Sequence, residues 1–350
     1  MSAWRFVARE RELFQLDMAL QRAISGRGNI VFVTGEAGAG KTALVTEFIR
    51  LAQAAHPTLL VAQGSGKTQN VPDPYLPFRE VLGLLTGDVE DSLAQGTITT
   101  ENAKRLEEFF SISGQTLTVL GPALIGRFVA KDDLIARGQA TGEDNQSWLE
   151  KLEAGAASQN QDDLSQEIIF AQYSTVLQAL SKKRPIVIWL DNLQWADSSS
   201  MNLLLHIGDA VVGKSPVLIL GSYRPEQTAL QKDFTCTIDM VVEEFESFLG
   251  EVEINLDSDN EIDALAFVDA LLDMMPNRLD ENFRRALFKH TGGQPLFILE
   301  LIEKMQARDE LITDDDGSWI PGPTLNWEVL PQKVEGLLEE RIAHLNPSIQ

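Results

Sequence analysis

Apolar residues along this chain fall into two patterns, short continuous runs and longer stretches with helical spacing. The continuous runs lie at about 29–34, 58–62, 186–190, 217–220 and 252–256. Continuous rather than alternating apolar runs are typical of strands buried on both faces. Helical spacing fills the stretches between them, as in Leu13, Leu16, Leu20 and Ile24 before the first run. The alternation predicts an α/β fold, a parallel sheet covered by helices on both faces.

Beyond about residue 258 the pattern becomes mainly helical, which predicts a second, smaller domain. We expect a core over 1–257 with an insertion at about 75–165, a helical domain over 258–306, and a linker with the start of a further domain over 307–350. Pro331 opens a last helix whose apolar face no later segment covers, so we expect a truncated piece of a longer protein. The polar stretch near 141–164 predicts a flexible loop, either a partner site or a solvated spacer.

The strand predicted at 29–34 is followed by the loop Gly35-Glu36-Ala37-Gly38-Ala39-Gly40-Lys41-Thr42 and then by a helix. The loop matches G-x-x-x-x-G-K-[ST] in the strand–loop–helix context that this motif requires. Backbone N–H groups of such a loop, with the positive end of the helix, bind phosphate. Lys41 would reach the β- and γ-phosphates, and the Thr42 hydroxyl would ligate Mg²⁺. The pattern predicts that all eight residues bind a nucleoside triphosphate.

A second sequence, Gly64-Ser65-Gly66-Lys67-Thr68, also ends in Gly-Lys-Thr. Val61 stands where the first glycine of the motif belongs, and Pro72 and Pro74 follow closely. Because proline disfavours a helix at this point, we reject this stretch as a phosphate loop. Lys67 is expected to be an exposed loop lysine.

Two further strand ends carry candidate catalytic residues. Asp191 ends the run at 186–190 and is the candidate Mg²⁺ carboxylate, unless it is only a strand-end aspartate. The next residue is Asn192, and an amide can orient water but cannot accept its proton. We therefore expect slow hydrolysis, or a different base such as Asp197 or Glu36. Arg224, just past the fourth strand, is a candidate γ-phosphate sensor, and its alternative is a surface arginine.

Composition narrows the classes of partner. The formal net charge is −23, with 29 Lys and Arg against 52 Asp and Glu, so direct nucleic-acid binding by this segment is not expected. No apolar run reaches the roughly 20 residues that span a bilayer, and no membrane partner is expected. A single cysteine, Cys236, fits a reducing, cytoplasmic setting. The four histidines show no metal-ligand spacing.

These motifs together resemble the signal-transduction ATPases with numerous domains, in the branch of origin-recognition-like predicted AAA-type ATPases. The stretch 6–13 is similar to their Phe-Val-Gly-Arg-Glu motif, which implies that Phe6, Val7 and Arg9 lie beside the adenine ring. The stretch 190–197 resembles Leu-Asp-Asp-Leu-Gln-Trp-Ala-Asp and departs from it at Asn192. Ser222–Pro225 resembles the family's sensor strand. Gly293–Leu296 resembles its Gly-x-Pro motif, which implies that Pro295 lies near the nucleotide.

The resemblance implies a P-loop ATPase core, a helical lid and a winged-helix domain that starts near Leu330–Leu345. It implies ATP or ADP with Mg²⁺ as ligands and Lys41, Asp191, Asn192 and Arg224 as catalytic residues. We expect an ATP-binding regulatory switch with slow hydrolysis, acting with its own C-terminal sensor or output domains. An ATP-dependent homo-oligomer is a further candidate. The alternatives are a robust ATPase that does mechanical work on a protein or nucleic acid, and a non-enzymatic scaffold that holds ADP.

Overall fold

The computed structural model describes residues 9–67, 73–140, 146–154, 165–228, 235–257 and 261–327. The predicted roles of Phe6 and Val7 and the predicted start of a winged helix after Leu330 lie outside these residues. By its backbone contacts the chain divides into two compact units. The sheet unit is Phe14–Thr34 with Val45–Ile254, and the helical unit is Met1–Leu13, Gly35–Leu44 and Asn255–Gln350.

The described elements follow one another as strands and helices in the order that the apolar pattern predicts. The strands are β1 (Asn29–Thr34), β2 (Leu60–Ser65), β3 (Ile186–Asp191), β4 (Val217–Tyr223), β5 (Glu253–Asn255), β6 (Leu311–Thr313) and β7 (Trp319–Pro321). The helices are α1 (Glu10–Ile24), α2 (Lys41–Ala55), α3 (Leu76–Leu85), α4 (Glu90–Ala94), α5 (Thr100–Leu120), α6 (Lys131–Ala140), α7 (Gln146–Ala154), α8 (Gln166–Ser181), α9 (Ser198–Val211), α10 (Pro225–Thr228), α11 (Ile238–Leu249), α12 (Glu261–Leu272), α13 (Glu281–Thr291) and α14 (Pro295–Ala307).

The sheet unit is built on five strands in the order β2-β3-β4-β1-β5. The pairs β1 with β4, β2 with β3 and β3 with β4 are parallel, with Val33 opposite Ser222 and Ser65 opposite Asp191. The connection from β1 to β2, through α2, crosses the sheet in one direction. The connections from β2 to β3, from β3 to β4 and from β4 to β5 cross it in the opposite direction. Right-handed crossovers therefore place α2 on one face and α8, α9 and α11 on the other.

Burial along the strands agrees with helices on both faces. Ile30, Phe32, Ile188 and Ile219 share one face and belong to a core that includes residues of α5, α8, α9 and α11. The alternate residues of the same strands, which point to the other face, are also buried, among them Val31, Val33, Val187 and Leu218. The predicted α/β fold with a helix-flanked parallel sheet is confirmed.

The outer edge of β2 is covered by the insertion that follows it. Asn102 of α5 lies beside Val61, accepts its N–H through Oδ1 at 3.3 Å and donates from Nδ2 to its carbonyl at 2.9 Å. The side chain thus pairs with Val61 as a neighbouring strand would, which protects an edge that could otherwise bind another chain. Asn102 is 2% exposed and also accepts a hydrogen bond from Gln53 at 2.6 Å.

The predicted flexible loop near 141–164 is wrong for residues 146–154, which form α7. Trp148, Leu149 and Leu152 are buried, and the Trp148 ring packs edge-on against Phe110 with 5.9 Å between ring centroids. These residues have the i, i+1, i+4 spacing of one helical face. The sequence therefore contains a weak helical pattern here, between two polar stretches. The polar stretches 141–145 and 155–164 lie outside the described residues.

The helical unit contains α12, α13 and α14 and the antiparallel hairpin β6–β7. Its core joins Leu272, Leu287, Leu301, Met305 and Trp319. Asp280 caps α13 by accepting the Phe283 N–H at 2.8 Å, and Pro295 opens α14, where a missing N–H costs nothing. The predicted helices after residue 258 are confirmed, and the hairpin lies in the segment predicted as a linker.

Candidate nucleotide site

The loop Gly35–Thr42 connects the end of β1 to the start of α2. Gly38 and Gly40 have φ of 84° and 95°, a backbone conformation that disfavours residues with a Cβ. The helix begins at Lys41, so its first N–H groups and the positive end of its dipole lie at the end of the loop. Thr42 is exposed in the first turn. The local fold therefore has the form of an anion-binding loop.

Lys41 folds back over its own loop. Its ammonium group donates to the Gly35 carbonyl at 2.5 Å and to the Glu36 carbonyl at 2.8 Å, and the residue is 9% exposed. A buried lysine retains its charge only where polar groups replace the lost water. These carbonyls supply that replacement, and they keep the ammonium at the base of the loop.

Segments of the helical unit contact the same loop. The Leu296 N–H donates to the Gly38 carbonyl at 3.3 Å, and a Cβ on Gly40 would lie 3.9 Å from Pro295 Cγ. The structure therefore brings the predicted Pro295 close to the loop. Gln294 donates from Nε2 to the Glu36 carboxylate at 3.0 Å.

Arg9 lies in this unit as well, but its described contacts are with protein groups. Its guanidinium donates to the Leu256 carbonyl at 3.0 Å, pairs with Glu12 at 2.9 Å and stacks over the Phe267 ring at 5.6 Å. The role that the family resemblance implies for Arg9, beside adenine, stays a prediction.

One residue that sequence reasoning missed is Asp257. Both of its carboxylate oxygens accept the Glu36 N–H, at 2.9 and 3.0 Å. Its partner in the loop is 221 residues away along the chain, and no local pattern marks such a pair.

In the sheet unit, the carboxyl ends of β1, β3 and β4 meet at one edge because these strands are parallel. Asp191 lies there at the end of β3, and its Oδ1 accepts the Asn192 N–H at 2.9 Å and the Ser222 hydroxyl from β4. Two donors thus fix the orientation of the carboxylate. Ser222 is a positioning residue for Asp191 that the sequence marked only through the family resemblance.

Asn192 adopts a left-handed conformation with φ 53° and ψ 44°. Asparagine and aspartate enter this region at lower cost than most residues with a side chain. The Asn192 carbonyl accepts the Trp195 N–H at 3.0 Å, and a Cβ on Gly66 would lie 2.4 Å from that same carbonyl oxygen. Aspartate tolerates the same left-handed conformation as asparagine. Asn192→Asp should therefore change the chemistry of this side chain without changing the turn.

Arg224 follows β4 and is half-buried. Its Nε is buried without a hydrogen-bond partner, and within the described ranges its guanidinium forms no ion pair. A partly buried cation without a compensating anion is costly unless a ligand supplies one. The role of Arg224 as a γ-phosphate sensor stays a prediction.

The neighbouring Tyr223 has a different partner, because its hydroxyl donates to the Glu253 carboxylate of β5. Burial raises the pKa of Tyr223, and the hydrogen bond to Glu253 adds to this. Burial also raises the pKa of Glu253, with smaller contributions from the nearby carboxylates Glu246 and Asp239. Burial at the carboxyl end of β4 therefore disfavours the charged form of both groups.

Two other predicted candidates have structural partners. Lys67 in the rejected loop pairs with Glu80 at 2.5 Å, and its side chain is 53% exposed, as expected for a surface lysine. Asp197, weighed as an alternative base, caps α9 by accepting the Ser200 N–H at 3.0 Å and also accepts the Tyr75 N–H at 3.3 Å. These contacts give Asp197 a capping role.

The sheet order and the glycine loop at the start of α2 define an α/β nucleotide-binding class of protein. A family model for the AAA ATPase domain matches residues 5–220, which is more than half of the chain. The chain belongs to the AAA ATPase domain family. The match covers the glycine loop and the end of β3 with Asp191 and Asn192, and it stops within β4 before Ser222 and Arg224.

Relatives outside the family model are distant. An uncharacterized protein of Rhizobium meliloti (strain 1021) is 23% identical over 303 residues, which cover 85% of this chain and 25% of that protein. The chain therefore spans about a quarter of the length of this curated relative. The crystal structure of Pif1 helicase from Candida albicans covers 82% of this chain and 48% of its own, at 14% identity and a TM-score of 0.27. This TM-score is too low to indicate a shared fold.

The described ranges lack two further features, a cluster of metal-binding side chains and a membrane-spanning helix. They contain no group of three or more His, Cys, Asp or Glu residues that could hold a metal ion. The Mg²⁺ of a phosphate loop needs no such group, because phosphate oxygens and water supply most of its ligands. Of the helices that the structure describes, none has both the length and the apolar content required to cross a membrane.

Proposed function

We propose that this chain is the ATP-binding switch module of a larger regulatory protein, in which the loop Gly35–Thr42 binds the phosphates of ATP or ADP. The observation that carries the proposal is the position of the loop. It follows β1, the strand at which the direction of the crossovers reverses, and it opens α2. Ligands of open α/β sheets bind at this reversal point, beyond the carboxyl ends of the strands.

Adenine preference and membership of the signal-transduction branch rest on the resemblance of the stretches 6–13, 190–197 and 293–296. Thr42 and Asp191 are the proposed Mg²⁺ ligands, and Lys41 and Arg224 are the proposed partners of the phosphates. When bound, Mg²⁺ would neutralise phosphate charge. Ser222 would keep the Asp191 carboxylate oriented for that role through the hydroxyl contact seen here.

The regulatory role is supported by the contacts of the loop within the helical unit. Gly38 accepts the Leu296 N–H at 3.3 Å, and Gln294 contacts Glu36. A ligand that binds the loop differently in two arrangements of these segments shifts the balance between them. Loss of the γ-phosphate would then release one arrangement, as in other nucleotide switches. The domain boundaries 1–257, 258–306 and 307–350 stay predictions within this proposal.

Slow hydrolysis is the second part of the proposal, because Asn192 cannot accept a proton. Asn192→Asp tests it in a single-turnover ATPase assay. We expect the acid to raise the rate by about 10²-fold, the lower range for a general base. A natural protein that already turns over rapidly and gains nothing from the substitution would contradict slow hydrolysis and favour the robust mechanical ATPase.

The central experiment identifies the nucleotide. The purified protein is denatured and any released nucleotide is identified by chromatography, and ATP and ADP binding are then measured by calorimetry with Lys41→Ala in parallel. We expect binding that Lys41→Ala abolishes, together with amide protection of residues 294–305 that ATP increases. Protection that persists in Lys41→Ala would refute the assignment of the loop. Permanently held ADP that does not exchange would favour the non-enzymatic scaffold.

A further inference from the structure

The carboxylate of Asp257 lies against the first turn of the phosphate loop. The Glu36 N–H donates to Oδ1 at 2.9 Å and to Oδ2 at 3.0 Å, so the two acceptors share one donor. A Cβ on Gly35 would lie 3.1 Å from Asp257 Oδ1, so the loop backbone and the carboxylate are in direct contact.

Asp257 is itself held from two sides. Its N–H donates to the Asn255 side chain at 2.9 Å, and the carbonyl of the preceding residue, Leu256, accepts from Arg9 at 3.0 Å. Arg9 in turn pairs with Glu12 and stacks over Phe267. Other parts of the helical unit therefore fix the backbone that carries this carboxylate. Such fixing is needed for a side chain that positions another residue.

The side chain of Glu36 makes a second connection to the helical unit. Glu36 Oε2 accepts from Gln294, and two residues later Leu296 donates its N–H to Gly38. Glu36 thus touches the segment before α12 through its backbone and the start of α14 through its carboxylate. Asp257 thus contacts the backbone of the same turn whose side chain reaches Gln294.

An acid beside an anion-binding loop carries an electrostatic cost. Its negative charge opposes the phosphates that the loop would bind, because like charges repel across a few ångströms. Aspartate at this position is therefore explained by its geometry and not by its charge. Asparagine would keep one acceptor for the Glu36 N–H and remove the charge, while alanine would remove both.

We propose that Asp257 is the positioning residue of the phosphate loop, which fixes the Glu36 turn so that the loop can bind a nucleotide and Gln294 can contact it. The inference rests on the proposed function and adds a residue that connects the loop to the helical unit. The predicted pattern is asymmetric. Loss of the acceptor weakens binding, whereas loss of the charge alone does not.

Calorimetric titration with MgATP and MgADP tests this pattern in the full chain. Asp257→Ala should raise the dissociation constant about tenfold, which corresponds to about 1.4 kcal/mol. Asp257→Asn should bind as tightly as the natural protein or more tightly. Asp269→Ala is the matched control, because Asp269 is a carboxylate of α12 that pairs with Arg284 at 3.1 Å and has no described contact with the loop. It should leave the dissociation constant within about twofold.

Hydrogen exchange without nucleotide provides a direct readout. Asp257→Ala should increase amide exchange in the peptide that contains Glu36, and Asp257→Asn should restore its protection. Unchanged exchange and binding in Asp257→Ala, with binding still abolished by Lys41→Ala, would overturn the role of Asp257 and leave the proposed function intact. Nucleotide binding that is absent in the natural protein or unaffected by Lys41→Ala would overturn both. If Asp257→Ala does not fold, a dissociation constant that Asp257→Asn raises about tenfold overturns the geometric role.

Discussion

Gly38→Ala is a sharp test of the contact between the glycine loop and α14. The added methyl group would lie 2.8 Å from Leu296 Cβ and 3.2 Å from its Cδ2, at a residue whose φ is 84°. An alanine in the left-handed region costs about 1–2 kcal/mol. Overpacking adds about 1–3 kcal/mol, since Leu296 Cβ cannot move without its backbone. We therefore expect a loss of about 2–5 kcal/mol in stability, the sum of these two costs.

Gly292→Ala separates the two costs. Gly292 has φ 61°, but a Cβ there would meet nothing within 4 Å, so only the backbone cost of about 1–2 kcal/mol applies. Urea unfolding followed by circular dichroism gives both values, and MgATP titration shows whether the loop still binds. In a Leu296→Gly background the effect of Gly38→Ala should fall to that of Gly292→Ala. Equal effects of the two alanine substitutions in the natural background would refute the close approach.

Two further predictions concern the sheet unit. Asn102→Ala leaves the N–H and carbonyl of Val61 without their partner, and we expect a loss of about 2–4 kcal/mol in urea unfolding. Asn282→Ala, which removes one exposed hydrogen bond of 3.4 Å, is the control, and a similar small effect of both would contradict the edge-pairing role of Asn102. The raised pKa of Glu253 means that its contribution to stability is complete below its ordinary pKa and is lost as pH rises through the folded value. Glu253→Gln keeps an acceptor for Tyr223 and removes the ionisable group. It should therefore reduce the fall in melting temperature with pH above about pH 4.5, the ordinary pKa of the carboxyl. An unchanged dependence of melting temperature on pH would contradict this.

The sheet was predictable because its strands are continuous apolar runs. The run 29–34 coincides with β1, and the run 186–190 lies within β3. The second run, predicted over 58–62, is displaced in the structure to Leu60–Ser65. The added residues Gln63, Gly64 and Ser65 resemble a turn locally, but pairing with Trp189, Leu190 and Asp191 of β3 keeps them extended. Tertiary pairing overrides local preference at this end.

The residues of the candidate site also differ in whether the neighbouring sequence identifies them. The phosphate loop is one continuous motif, so its residues could be named from the sequence with their chemistry. Asp257 and Ser222 act by holding another residue, and their partners lie 221 and 31 positions away. Neither carries a composition or spacing that differs from an ordinary strand end.

Positioning residues of this kind also limit what a motif can establish. Under the proposal for Asp257, a loop with every glycine in place also needs an acceptor outside the motif to hold its first turn. The proposed role of Asp191 as a Mg²⁺ ligand likewise requires a fixed carboxylate, which here accepts from Ser222 and from the Asn192 N–H. If Asp257→Ala and Ser222→Ala each weaken nucleotide binding while both motifs remain intact, the determinants of this site lie as much in the supporting contacts as in the loop itself.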